Sequence, residues 1–537
     1  VGGTSSFTTD VNDKAITLDT TTNAMTGNVT FSTLGTNGDV TIDNGTTALG
    51  LQGTVNGNLV ATSGAAITDS AALTVSGTSS FTTDVGNNSI TLDTSALTGA
   101  VSFTTTGTGD VTLDNGTTAV NLGTVSVGQN LAVTSGEVIT DSGVITVGGT
   151  SSFITDVANK SITLNTTTNA LTGAVSFTTT GTGDVTLDNG TTAVNLGTVS
   201  VGQNLAVTSG EVITDSGVIT VGGTSSFTTD VNDKAITLDT TTNALTGAIT
   251  FSTLGTGGDI LLDNGSTTIN LAAFSAPGDL TLTTGAAVAI AGHTVAGNLL
   301  VTASEAITQT GALTVTGTSS FITDVANKSI TLNTTTNALT GAVSFTTTGT
   351  GDVTLDNGTT AVNLGTVSVG QNLAVTSGEV ITDSGVITVG GTSSFTTDVN
   401  DKAITLDTTT NAMTGNVTFS TLGTNGDVTI DNGTTALGLQ GTVNGNLVAT
   451  SGAAITDSAA LTVSGTSSFT TDVGNNSITL DTSALTGAVS FTTTGTGDVT
   501  LDNGTTAVNL GTVSVGQNLA VTSGEVITDS GVITVGG

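Results

Sequence analysis

Aspartates recur along this chain in pairs four residues apart: Asp39/Asp43, Asp110/Asp114, Asp184/Asp188, Asp259/Asp263, Asp352/Asp356, Asp427/Asp431 and Asp498/Asp502. Each pair brackets a short apolar stretch such as Val185-Thr186-Leu187. On an extended segment, positions i and i+4 share a face, so both carboxylates project outward together. Clustered carboxylate oxygens are what Ca2+ requires, and Ca2+ is the one cofactor this pattern nominates. The pair returns only once per block of about four coils, roughly 19 Å apart, too far for successive pairs to share an ion. The GGxGxDxUx calcium repeat is also absent. The pattern reads first as a solvated acidic face that keeps the molecule soluble.

Other chemistry finds little support. His293 is the single histidine, so a Ser-His-Asp arrangement cannot recur with the repeat, and it reads as a turn residue. Paired carboxylates do serve glycosidases, but the chain has no arginine, tryptophan or tyrosine to hold a sugar. The expectation is that it is not an enzyme. Asn-Gly-Thr recurs at Asn44, Asn115, Asn189, Asn357, Asn432 and Asn503 and matches the N-glycosylation acceptor pattern, yet turn chemistry explains it in a chain this rich in Asn and Thr. Ice binding would need a regular Thr-x-Thr array, whereas these strands mostly offer one threonine between two buried residues.

The charge balance narrows the partners. There are 41 acidic residues against five lysines, and the formal net charge is -36. Lys14, Lys160, Lys234, Lys328 and Lys402 are dispersed, so no phosphate-binding patch forms and nucleic acid is excluded, as is an anionic membrane surface. No apolar run is long enough for membrane insertion. Cysteine is absent, which removes disulfides and thiolate metal sites.

The elements that must position these residues follow from a repeat. Gly-Thr-Ser-Ser-Phe recurs with its phenylalanine at Phe7, Phe81, Phe153, Phe227, Phe321, Phe395 and Phe469, which defines blocks 7–80, 81–152, 153–226, 227–320, 321–394, 395–468 and 469–537. Residues 1–149 are identical to 389–537, and the chain reads as a fragment of a longer array. Within a block, short stretches such as Ile162-Thr163-Leu164 and Val175-Ser176-Phe177 alternate apolar and polar and are separated by Gly and Asn turns. The 94-residue block carries about 20 extra residues between Leu271 and Asn298, enough to add one whole coil to a solenoid without disturbing its axis. The 72-residue blocks lose two residues in a turn, as at Asp93 to Ala96. These features predict an all-β, right-handed parallel β-helix over residues 1–537, one continuous body with about 18 to 20 residues per coil and about four coils per block, stacking to a rod roughly 135 Å long. All fifteen phenylalanines are expected in its core.

The strings GQNLAVTSGEVITDSGVITVGGTSSF (Gly202 to Phe227) and GNLLVTASEAITQTGALTVTGTSSF (Gly297 to Phe321) resemble repeats of large bacterial exoproteins of the filamentous haemagglutinin type. The resemblance implies a parallel β-helix, export to the medium or the bacterial cell surface, and a role in adhesion or aggregation. With the composition, it leads to the expectation of an extracellular shaft or matrix fibre whose partners are copies of itself or a cell-surface glycan. The alternative is a module that binds carbohydrate through its repeated outer face.

Overall fold

The computed structural model describes residues 2–537, and among them it contains strands and turns but no helix. By its internal contacts the chain divides into two units, one ending at Ala272 and one beginning at Ala273. Each is a stack of parallel strands, and together they hold about 27 turns of a β-solenoid. The alternation seen in the sequence sets the faces: in Ala174–Thr178, Val175 and Phe177 are buried while Ser176 and Thr178 are not.

In the first unit, Ser5–Thr8, Val29–Ser32, Leu49–Val55, Ile67–Val75, Ile90–Leu92, Val111–Asp114, Leu131–Ser135 and Ser151–Thr155 pair in succession, each parallel to the next. At the level of single residues, Phe7 is followed turn by turn by Phe31, Gly53 and Leu73, and Phe81 lies on the next strand of that turn; Phe81 is followed by Phe103, Val125 and Ile145, and Phe153 lies on the next strand again. Phe81 lies on the other sheet, where Ser79–Thr83 follows Ile16–Leu18, Val40–Asp43 and Leu59–Ser63. The second unit repeats the arrangement: Phe321 is followed turn by turn by Phe345, Val367 and Ile387, and Phe395 lies on the next strand. The parallel solenoid expected from the sequence is present, but a block spans three turns and one further face of the three, about three and a third turns, rather than four. Turns exceed the expected length where a corner is enlarged: the turn that carries Ser5 round to its partner Val29 is longer than the one that carries Leu131 round to Ser151. The enlarged corner follows each marker strand and carries a residue in the left-handed region, such as Asp13 at φ 60° or Asn159 at φ 67°.

The insertion behaves as a complete turn. In the second unit Ser275–Ala276, Leu280–Thr284 and Val288–Ile290 pair in order with Thr294–Val295, Leu299–Ala303 and Ile307–Gln309, so all three of its strands advance by the same single turn. The two-residue deletion shortens a corner, where Asp69 accepts bonds from the backbone N–H of Asp93 and Thr94 and from the Ser95 hydroxyl (2.9, 2.8 and 2.7 Å).

Inside, each marker ring stacks on the phenylalanine one turn later: Phe153 on Phe177 with centroids 5.7 Å apart, Phe7 on Phe31 at 6.0 Å. Of the fifteen, only Phe7 and Phe274 remain half-buried; the rest are core as expected. Truncating a buried ring removes its transfer energy and leaves a cavity. Phe177→Ala is expected to cost about 3–5 kcal/mol. Contacts run between neighbouring turns, so hydrogen exchange should rise around Phe153, Phe177 and Val199 while Val40–Asp43 keeps its protection. Uniform loss along the unit would contradict this localised coupling.

Candidate functional site

The paired aspartates fall on the strands predicted, and both members of a pair are spent on the backbone. The first reaches to the next turn: Asp39, Asp110, Asp184, Asp352, Asp427 and Asp498 each accept, through Oδ1, the backbone N–H of Asn58, Asn130, Asn204, Asn372, Asn446 and Asn518, at 2.7 to 3.0 Å. That asparagine passes the contact on, for Asn130 Oδ1 accepts both the N–H and the hydroxyl of Thr150 (2.9 Å each), the threonine of the marker motif. The second aspartate closes its own corner: Asp43, Asp114, Asp188, Asp263, Asp356, Asp431 and Asp502 accept the N–H of the glycine two residues on, at 2.8 to 3.0 Å. That glycine has φ near +55° in every block, a conformation an L side chain strains to adopt.

The pairs do not share one face. From Asp39/Asp43 the ladder runs Val40, Leu59, Ser79 and Val101 through three turns, and Val111–Asp114, which carries the next pair, is the strand after Ala100–Thr104. Each block therefore moves the pair to the next of three faces, and in the first unit a face is revisited only after three blocks, ten turns or roughly 48 Å, as from Asp39/Asp43 to Asp259/Asp263, instead of the roughly 19 Å expected from four coils. The cause is the third of a turn left over in each block. Among the described residues, no group of three or more acidic, His or Cys side chains is gathered as a metal would require.

The Asn-Gly-Thr asparagines are the centre of this corner. Asn189 is fully buried; its Oδ1 accepts the N–H of Leu171 in the preceding turn (2.8 Å), and its Nδ2 faces the carbonyls of Leu171, Thr192 and Ala193 (3.0 to 3.1 Å). Asn44, Asn115, Asn264, Asn357, Asn432 and Asn503 do the same. A second buried set, Asn169, Asn243 and Asn411, is held by Asp141, Asp215 and Asp383 one turn earlier (2.6 to 2.7 Å), with Gln309 replacing the aspartate at Asn337. Sequence reasoning treated the first set as turn residues and missed their burial. The available signal was their fixed position, always directly after the second aspartate of a pair.

Four of the lysines are also used between turns. Lys160, Lys234, Lys328 and Lys402 pair with Glu137, Glu211, Glu305 and Glu379, one turn earlier in each case, at 2.5 to 2.8 Å. These half-exposed pairs contribute little stability, about 1 kcal/mol or less each.

His293 lies between strands of the inserted turn, as expected, but it is not exposed. It is buried in the inserted turn, its ring tilted against Phe274 at 5.0 Å; Nδ1 accepts a long 3.4 Å bond from the Phe274 N–H, and Nε2 has no partner. Burial pushes its pKa down to about 4.

These repeats are those of a described family: the sequence profile for "Repeats of unknown function (DUF5649)" matches residues 37–104, 108–178, 182–252, 277–346, 350–420, 425–492 and 496–537. The chain belongs to the DUF5649 repeat family. Six of the seven DUF5649 copies open just before an acidic pair, the fourth opens before Asp279 alone, and all but the last run to the second phenylalanine of a stacked couple. The widest gap between copies, 253–276, adjoins the inserted turn. No curated protein and no solved structure matches the chain.

Two outcomes test this account. Asn189→Ala removes the acceptor of the Leu171 N–H and a donor from the Leu171 and Ala193 carbonyls in a buried corner, while the Thr192 carbonyl keeps the Ser209 hydroxyl, and should cost about 3 kcal/mol. Asn189→Asp should cost more, since a carboxylate oxygen then faces three carbonyls; denaturant midpoints give both values, and a neutral result for either removes the asparagine from its central role. For His293, the folded pKa lies below the ordinary 6.5, so the unfolded chain takes up a proton first. Stability is complete above pH 6.5 and falls by about 3 kcal/mol as pH drops toward 4. In His293→Leu this component of the pH dependence should vanish; a profile unchanged from the parent would show that the imidazole titrates normally.

Proposed function

We propose that this chain is a structural repeat protein exported by a bacterium, forming the shaft of a surface adhesin or an extracellular matrix fibre, with copies of itself as its lateral partner. One observation carries the reading: recurrent polar side chains, the first aspartate of each pair, the buried asparagine and four of the five lysines, are spent on joining one turn to the next, while the second aspartate closes its own corner. Such a surface supports length and regularity. The resemblance to filamentous haemagglutinin-type exoproteins points the same way.

Cohesion through divalent ions falls to the carboxylates that the corners do not use. Asp10, Asp84, Asp156, Asp230, Asp324, Asp398 and Asp472, each three residues after a marker phenylalanine, are exposed on the enlarged corner. With a net charge of -36, they sit in a field that gathers counterions. Cryo-electron microscopy of material from the producing cells, with and without chelator, tests this reading. Laterally ordered fibres that separate in chelator are expected; fibres indifferent to chelator would remove the cation bridge, and monomeric chains free in the cytosol would overturn the structural role.

A further inference from the structure

Fifteen Asn-x-Ser/Thr acceptor patterns occur along the chain, and the fold sorts them sharply. Seven are the buried corner asparagines described above, whose amides are enclosed and fully bonded. Four more, Asn87, Asn159, Asn327 and Asn475, are exposed but held at positive φ, and each Oδ1 is engaged by a threonine of the next turn, as Asn159 is by Thr182 (2.9 and 3.1 Å). Asn28 and Asn416 are half-buried beside or within a strand.

Two remain. Asn165 and Asn333 sit at an exposed corner with Thr167 and Thr335 exposed at the required second position after them. The backbone N–H of Asn165 is fixed by Asp141 Oδ1 (3.0 Å), yet its side-chain amide bonds to no described residue. The same corner in the other five blocks carries Asp19, Asp93, Asp239, Asp407 and Asp481, so the asparagine is not needed to build the turn.

We propose that Asn165 and Asn333 are N-glycosylation acceptors, modified on the folded chain. The donor class is a lipid-linked glycosyl diphosphate: the amide nitrogen bonds to the anomeric carbon, the carbon–oxygen bond to diphosphate breaks, the diphosphate leaves with the electron pair, and the amide proton passes to a base of the transferase. Transfer before folding would also modify the seven buried asparagines and remove the bonds that close their corners, so the folded chain is the substrate. The inference rests on export, which brings the chain to such a transferase.

The test incubates the purified folded chain with an N-oligosaccharyltransferase and a lipid-linked glycosyl diphosphate, beside a denatured sample, and maps occupancy by peptide mass spectrometry. The same mapping is done on surface material from producing cells. Occupancy restricted to Asn165 and Asn333 in the folded and native samples, with additional sites only in the denatured one, is expected. Asn165→Gln and Thr167→Ala should each lose that one site with the β-sheet circular dichroism spectrum unchanged. A folded chain left unmodified while the denatured chain is modified, glycan at Asn159, or unmodified surface material would overturn the assignment. Cell fractionation reports separately on export; should the chain prove internal, the purified reaction alone decides the acceptors.

Discussion

Each turn of this molecule is hydrogen-bonded chiefly to the turn before it and the turn after it, and that nearest-neighbour restriction governs everything else. A backbone that must find its partners one turn away forces parallel pairing, and parallel pairing in register places like residues over like. Phenylalanine then stacks on phenylalanine and isoleucine on isoleucine, as Ile139 on Ile162 and Phe153 on Phe177. Strands of three to five residues, too short to persist alone, become stable because the ladder above and below them is continuous.

The corners are where such a stack is vulnerable, since a turn exposes backbone groups that the ladder does not reach. Here they are closed by short side chains. Aspartate takes N–H groups, and asparagine, with a donor and an acceptor on one small amide, bridges two turns at once. The abundance of Asp and Asn is thus as much a consequence of the fold as the abundance of Val and Ile. The same economy explains why the acidic pairs, which resemble ligand sets on paper, are committed to amides: Asp184 holds Asn204 and Asp188 holds Gly190.

Much of the fold was legible because it is written in periods. Alternation in Val175-Ser176-Phe177 gave the strand and its faces, and an insertion of about one turn's length distinguished a solenoid from a sandwich. Turn length was less legible. Counting coils by dividing the block length by a typical coil overlooked that the corner after each marker is enlarged, a property of local φ values at residues such as Asp13 and Asn159 that composition does not display. The face on which each aspartate pair lies was misjudged for the same reason. Asn189 and Asn165 carry the same acceptor pattern, and only burial separates a bridging amide from a free one. His293 was unreadable: a histidine between glycine and threonine looks like a turn, and its enclosure depends on Phe274 in the preceding turn.

The third of a turn left over in each block has a geometric consequence. Advancing by one block carries any surface feature to the next of the three faces of its unit and a little further along, so within each unit the motif follows a three-sided screw. A receptor or neighbour that recognises a single block therefore finds identical footholds pointing in three directions at staggered heights. A stack with that pattern is suited to joining several partners around itself into a three-dimensional mesh rather than to coating one of them.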